Sequence, residues 1–480
     1  MLDTPFFPAW RARLHRGHRP LQATLEGLRR CTLDQLEDRL GDFLSGVVAL
    51  SAATASPRER PYSVRRTAWC FLWQMLQINV ACREVVRQLQ AMLILEGRCP
   101  VDEGTSAYVQ ARARLPLPVL VQALKASARA ADQRVAPSEF LQGRVVKVMD
   151  GSTLTLPDTA ENQNAYPQPN SQKPGCGFPL LHLLVVWSAR GGGVLEHAQG
   201  DRHHGEMRLF HQLGPTLAPQ DIVIYDRAAG HYVACACLRA HKTDLISRVA
   251  IRKINWRRGQ RLGRNERLVP WKKSPQKPPY LTVQEWAELP EEITVRVIRV
   301  QVKQKGFRAR ELVLVTTLLD ATTYPAQQIA TAYLRRWRLE MCLDDLKTTL
   351  GLDALRCRSP AMIHRELLAL LIAHNLARAV MAEAARAHAV PLERLSFQGT
   401  LTTLRTFCAA SAQTLRASRR RLLWAQMLRI IATDLLPLRP DRWEPRVVKR
   451  RPKRFPKLNR PRHLYRETRH GSSFRRPKKT

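Results

Sequence analysis

The hydrophobic period of the chain switches from helical to strand-like near Arg144 and back to helical at Pro325. Side chains recur every 3.6 residues along a helix face and every two along a strand face, so the switches mark where one layer type gives way to another. Before the first switch, Thr32–Leu50 places Leu33, Leu36, Leu40, Phe43, Leu44 and Val47 on one helical face. A break at Ser51–Arg60 precedes a second helical run over about Val64–Leu95. Between the switches, Arg144–Met149, Pro179–Trp187, Val194–Ala198, Asp221–Tyr225 and Asp244–Val249 read as strands, and about His231–Ala240 reads as a helix. The first strand is expected to end in a turn at Asp150-Gly151-Ser152. Ile251–Pro279 reads as a basic, Pro-rich loop. Ile293–Lys303 alternates, turns at Gly306 and returns as Arg310–Thr316. Helices then cover Pro325 to about Leu350, about Met362–Ala389 and about Thr400–Leu435. This mixture predicts a mixed α/β class. A length of 480 residues allows about three domains.

Charge narrows the partners. Lys plus Arg is 78 and Asp plus Glu is 40, a formal net charge of +38. Such a chain suits a polyanion, with nucleic acid first and an anionic membrane surface second. The longest apolar runs, such as Phe178–Trp187 and Leu367–Ala373, fall short of the ~20 residues of a spanning helix. Met1–Arg11 lacks the basic-then-apolar order of a signal peptide. Ten scattered cysteines read as reduced thiols of a cytosolic protein. Ser106–Arg114 presents Arg112 and Arg114, which suit either phosphate contact or a solvated face. From Leu438 onward seventeen Lys/Arg stand against three acids among many prolines, a segment expected to be disordered alone and attractive to phosphate.

The chemistry centres on three acids. Asp150 and Asp226 each follow an expected strand, at the sheet rim where ligand sites form. Tyr333, Arg336, Glu340 and Lys347 stand in the pattern Y-x2-R-x3-E-x6-K. At ~100° per residue they share one helix face, spread over about 60°. A solvated face with ion pairs, Asp344 among them, is the alternative. Three carboxylates from two strands and a helix suit two hard cations, Mg²⁺ or Mn²⁺, for phosphoryl transfer. Other clusters carry less. His231, Cys235, Cys237 and His241 mimic zinc spacing, but the two cysteines would point ~200° apart on a helix. Asp201, His203, His204 and Glu206 suit turn and helix-start roles. No G-x4-G-K-[ST] occurs.

These residues resemble a family. VMDGSTLTLPDT around Asp150, IYDRAAGHY around Asp226 and the unbroken Tyr333–Lys347 signature are similar to bacterial insertion-sequence DDE transposases of the insertion-sequence-four family. SAYVQARARLP and GCGFPLLHLLVV add to the likeness, which runs from about residue 60 to 390. The resemblance implies an RNase H-like core with a β-rich insertion at about 250–312, within a catalytic core at 141–350. A helical DNA-binding region at 1–140, a helical region at 351–437 and the basic tail at 438–480 would flank it. It implies cleavage at terminal inverted repeats and joining to target DNA with two Mg²⁺ or Mn²⁺ ions, in cut-and-paste transposition. Asp150, Asp226 and Glu340 would be the catalytic metal ligands. Tyr333, Arg336, Lys347, Arg227 and Arg248 would contact DNA. The expected partner is double-stranded DNA, bound by a homodimer, in the bacterial cytoplasm at the nucleoid and away from membranes. Relatives can stack a flipped base on a Trp where this chain has about Leu312; its insertion tryptophans are Trp256, Trp271 and Trp286. A catalytically silent DNA-binding regulator, or a metal nuclease without strand transfer, remains the alternative.

Overall fold

The computed structural model describes residues 61–437, except 78–79, 96, 251–253, 257, 302–310 and 413–416, together with 458–461 and 464. The helix expected over Thr32–Leu50, the break at Ser51–Arg60 and nearly all of the basic tail lie outside the described residues. Four helices come first: α1 (Val64–Leu76), α2 (Cys82–Leu95), α3 (Ser106–Arg114) and α4 (Leu117–Gln133). The mixed region follows as β1 (Val146–Thr155), α5 (Ala160–Ala165), β2 (Leu180–Ser188), β3 (Val194–Gly200), α6 (Glu206–Leu213), β4 (Ile222–Tyr225), α7 (Tyr232–Ala240) and β5 (Asp244–Val249). Then come β6 (Gln260–Gly263), β7 (Glu266–Lys272), α8 (Val283–Glu288), β8 (Glu292–Gln301) and β9 (Glu311–Thr316). The last helices are α9 (Ala326–Asp344), α10 (Pro360–Ala387), α11 (Phe397–Ala412) and α12 (Ala417–Thr433).

One nine-stranded sheet runs in the order β3-β2-β1-β4-β5-β9-β8-β7-β6. Its first five strands form an antiparallel meander, β3-β2-β1, joined to a parallel trio, β1-β4-β5. That arrangement, flanked by helices, is an RNase H-like core. The insertion is not a separate body. β9 pairs antiparallel with β5 and covers what would be an open edge, and β8, β7 and β6 continue the same sheet.

Two expectations need correction. The supposed loop at Ile251–Pro279 contains the β6–β7 hairpin, turning at Arg264-Asn265. Its outer strand is exposed and charged, as edge strands commonly are, so it lacks an apolar pattern. The strand expected to stop at Asp150 runs on to Thr155. Nine residues of β1 pair with β2, from Lys147 to Thr155, and this ladder overrides the turn preference of Asp-Gly-Ser.

Alternation along the strands builds two cores. Val148, Ile224 and Ile246 face a larger core containing α1, α4, α9 and α10. Met149, Val223, Tyr225 and Leu245 face a smaller one with α6 and α7. Helix α10 has 28 residues and a mean hydropathy of 1.4 over its most apolar window, enough by length and composition for a membrane span, yet 94% of that window is buried in the protein. It is the hub of the larger core. Two polar residues on it fix its neighbours. The Asn375 side-chain amide donates to the carbonyls of Leu124 and Val194 and accepts from the Val194 amide at 2.7 Å, tying α4 and β3 to α10. Glu366 accepts from the amides of Arg356 and Cys357, which shapes the turn entering α10.

Candidate active site

The parallel register of β1 and β4 sets the first two acids side by side. Val148 pairs with Ile224, and Asp150 and Asp226 each lie two residues further along. Asp226 keeps an extended backbone, with φ −72° and ψ −178°. Alternation then turns both carboxylates to the face of Val148 and Ile224, where α9 packs. Arg248 lies two residues beyond Ile246 on β5, on that same face. The middle of β1 and the C-terminal ends of β4 and β5 therefore present Asp150, Asp226 and Arg248 beneath one helix. Gly230 permits the chain to pass close after Asp226: an added Cβ would lie 2.3 Å from the Arg248 carbonyl oxygen. The Ser247 hydroxyl donates to the Asp226 carbonyl at 2.8 Å and holds the two strand ends together.

Helix α9 supplies the rest. The Tyr333 hydroxyl donates to Asp226 Oδ1 at 3.3 Å. Arg336 is buried, lies over the Tyr333 ring at 5.5 Å and pairs with Glu340 at 2.6 Å. Burial pushes the Asp150 carboxyl up to about 6; Arg336 opposes the rise, while Glu340 and Glu206 add to it. Burial likewise pushes the Tyr333 phenol up to about 12, with Asp226 adding to the rise and Arg336 and Arg248 opposing it. Asp150, Asp226, Tyr333, Arg336, Glu340 and Arg248 thus sense one another across the space between sheet and helix.

Lys347 and Arg227 stand differently. Regular α-helix stops at Asp344, and Asp345–Thr349 forms a π-helical turn. Lys347 belongs to that turn, so a uniform 100° per residue does not describe its angle, a correction to the single helix face expected from spacing. It is half-buried and makes no ion pair among the described residues. Arg227 is exposed on a short 3₁₀ turn next to Asp226.

Glu206 takes the helix-start role read from the sequence, but nothing in the spacing placed it near Asp150. It opens α6 on the opposite face of the sheet, accepts from the Tyr225 hydroxyl and lies against Gly151, where an added Cβ would sit 3.0 Å from its Oε1. Only the pairing of β1 with β4 brings it beneath Asp150. Asp201 makes the expected turn, accepting from the amides of His203 and His204 and from the His204 ring at 2.6 Å. Leu312 is buried in the larger core. Trp256, Trp271 and Trp286 pack on the smaller core, with Arg299 over Trp256 and Lys273 over Trp286. Arg112 is not on a solvated face: it projects from α3 and is buried against the rings of Phe71 and Tyr108.

Asp345 gives a measurable consequence of the π-helical turn. Burial pushes its carboxyl from 3.8 to about 7; Arg378 opposes the rise and Asp344 adds to it. The folded state therefore holds this proton more tightly than the unfolded state, and stability is lost as pH rises from about 4 through 7. Above that window the cost is of order 4 kcal/mol. Asp345→Asn should be more stable than wild type at about pH 8, with a clearly smaller gain at about pH 5. Thermal unfolding at both values checks this, and an equal gain at both contradicts it.

The donor chemistry of the three acids fits hard divalent cations, since carboxylates repel one another until a cation joins them. The arrangement is not a closed ligand cage. Among the described residues no group of three His, Cys, Asp or Glu side chains is set to hold a metal ion, and Arg336 engages Glu340 instead.

The RNase H-like sheet carries Asp150 within β1 and Asp226 just after β4, and the covering helix α9 carries Glu340. Residues 141–376 match the family described as Transposase DDE domain, and this region is a DDE transposase domain. The chain is 26% identical over 439 residues, 89% of its length and 94% of the relative's, to Transposase InsG for insertion sequence element IS4 of Escherichia coli (strain K12). A cryo-EM structure of the piggyBac transposase synaptic complex with hairpin DNA is a looser likeness, with a TM-score of 0.39 and 9% identity over 89% of this chain and 88% of that one.

Proposed function

We propose that this chain is an active transposase of an insertion sequence, which binds the element's terminal inverted repeats, cleaves them and joins them to target DNA. The observation that carries this reading is the convergence of Asp150 and Asp226 beneath the α9 residues Tyr333, Arg336 and Glu340. Asp150, Asp226 and Glu340 would hold two Mg²⁺ or Mn²⁺ ions, which supply charge stabilisation and an activated attacking oxygen when bound. The chain's own residues do the rest. Tyr333 orients Asp226 through its hydroxyl. Arg336 holds Glu340 and, on DNA binding, takes a phosphate oxygen beside the scissile bond in its place. Arg248 and Arg227 extend the positive rim at the strand ends. Around them, residues 1–140 act as the DNA-binding region, 351–437 as a supporting helical region and 438–480 as a phosphate-neutralising tail. The working form on DNA is a homodimer, because two ends must be joined.

Lys347 separates a DNA contact from a helix-surface charge. As a phosphate contact, its replacement in Lys347→Ala weakens end-DNA binding and lowers the salt slope by about one unit. Equal slopes for variant and wild type contradict the contact.

Incubation with Mg²⁺ and an end-containing duplex tests the function. Cleaved and joined strands are expected. A nick without joining would make the protein a metal nuclease, and no product would make it a silent DNA-binding regulator.

A further inference from the structure

A cavity of about 560 Å³ lies between the N-terminal helices and the turn that follows α9. Gln74, Cys82 and Arg112 line one wall, residues 348–351 and 356–359 the other, and Met362 and Leu370 of α10 close it. The chemistry-bearing residue is Arg112, only 7% exposed. Its guanidinium lies over the rings of Phe71 and Tyr108, each at 5.0 Å. It reaches Gln74 Oε1 at 3.4 Å and Cys82 Sγ at 3.3 Å, both neutral partners. Its Nε is buried with no hydrogen-bond partner. No carboxylate forms an ion pair with it among the described residues. The buried acid of the same cavity, Glu366, is committed to the amides of Arg356 and Cys357. A buried cation with no directly paired carboxylate is costly, and aromatic faces offset only part of that cost.

The rest of the lining says what the anion carries. Arg356 and Arg358 stand exposed in the lining, with Glu161 as the one exposed acid there, and Arg356 donates to the Val80 carbonyl at 3.2 Å. Met75, Val80, Met362 and Leu370 make an apolar wall. A bare phosphate would leave most of the volume empty, whereas cavities of roughly 300–1,000 Å³ take drug- and cofactor-sized molecules. Arginine is the side chain best shaped to hold phosphate oxygens in pairs. We propose that this cavity binds a phosphate ester of nucleotide size, with Arg112 as its buried anchor, Arg358 in its exposed lining and the apolar wall against the sugar and base. The ester is either one nucleotide of a bound DNA strand, which rests on the proposed function, or a free nucleotide, which does not.

Calorimetric titration of the full chain with deoxyadenosine 5′-monophosphate tests the site, with deoxyadenosine as the phosphate-free control. The nucleotide should bind wild type at least ~10-fold more tightly than the nucleoside. Arg112→Gln should remove that preference. Arg358→Gln, at an exposed position that folding does not need, should weaken nucleotide binding severalfold and keeps the test decisive if the buried variant fails to fold. Displacement of the nucleotide by an end-containing duplex assigns the site to a DNA strand, and retention assigns it to a free nucleotide. Asp150→Asn should bind the nucleotide as wild type does, so this result stands apart from the fate of the transposase reading. No nucleotide binding at about 10 mM, or binding equal in wild type and both arginine variants, overturns the proposal.

Discussion

Asp150→Asn, Asp226→Asn and Glu340→Gln should each lower cleavage of an end-containing duplex by at least ~10³-fold, while binding of the same duplex without divalent metal changes little. Each change removes one anionic oxygen and keeps the shape. The size of the effect follows from the role: a metal ligand acts on the reacting centre itself, and groups that work as a unit fail together. Double variants should therefore be no slower than single ones. The Asp150 variant also isolates the electrostatics. Its carboxyl is pushed up to about 6 by burial, with Glu340 and Glu206 adding to the rise. An amide there relieves that repulsion, so folding should be unharmed or slightly improved. Gel-shift and cleavage assays on one preparation check the split between binding and chemistry. A parallel loss of binding and cleavage in all three variants would assign these residues to DNA contact or to folding instead.

The largest stability effect should come from a residue far from any reacting atom. Arg296 of β8 is fully buried. It pairs with Glu266 of β7 and donates to the carbonyls of Leu318, Asp320 and Tyr324, at 3.3, 3.2 and 2.7 Å. One guanidinium thus ties the insertion strands to the connection that enters α9. Arg296→Met fills similar space but leaves a partly buried carboxylate and three carbonyls without their donor. The expected cost is ~3–5 kcal/mol, the range for breaking a buried ion pair from one side. Denaturant unfolding should show it as a lower midpoint with an unchanged slope. Because the connection leads directly into α9, the variant should also lose cleavage at temperatures where it remains folded. A cost below about 1 kcal/mol would mean that water replaces the guanidinium and that the pin is unimportant.

The sequence makes the α9 site readable because Tyr333, Arg336 and Glu340 are separated by distances that one local rule, the helical period, converts into a face. The apolar runs of β1 and β4 are readable for a similar reason, and Asp226 follows its strand as expected, whereas β1 runs on through Asp150 to Thr155. The adjacency of Asp150 and Asp226 is another matter. It depends on which residue of β1 stands opposite which residue of β4, a non-local register with no local signature. The nearness of Glu206 to Asp150 was hidden for the same cause, since it reaches Asp150 from the other face of the sheet. The π-helical turn at Asp345–Thr349 escaped because periodicity assumes one helix type throughout. Its buried carboxylate at Asp345 and the charge on Arg378 of α10 become neighbours only after packing. The β6–β7 hairpin was hidden by its charge, because an edge strand of a basic protein has no apolar face to display. Arg112 shows the converse: arginines in a helix suggested a surface, and two aromatic rings took one of them inside.

Anomalous diffraction from crystals of the full chain bound to end DNA and Mn²⁺ shows whether the three acids hold the metal, with Asp150→Asn to block turnover if the wild type cleaves in the crystal. Mn²⁺ density is expected against the carboxylates of Asp226 and Glu340, and against Asp150 where it is retained, with Arg336 turned from Glu340 to a DNA phosphate. Mn²⁺ bound elsewhere on the chain, with Arg336 still paired to Glu340 while the DNA end occupies the site, would contradict this expectation.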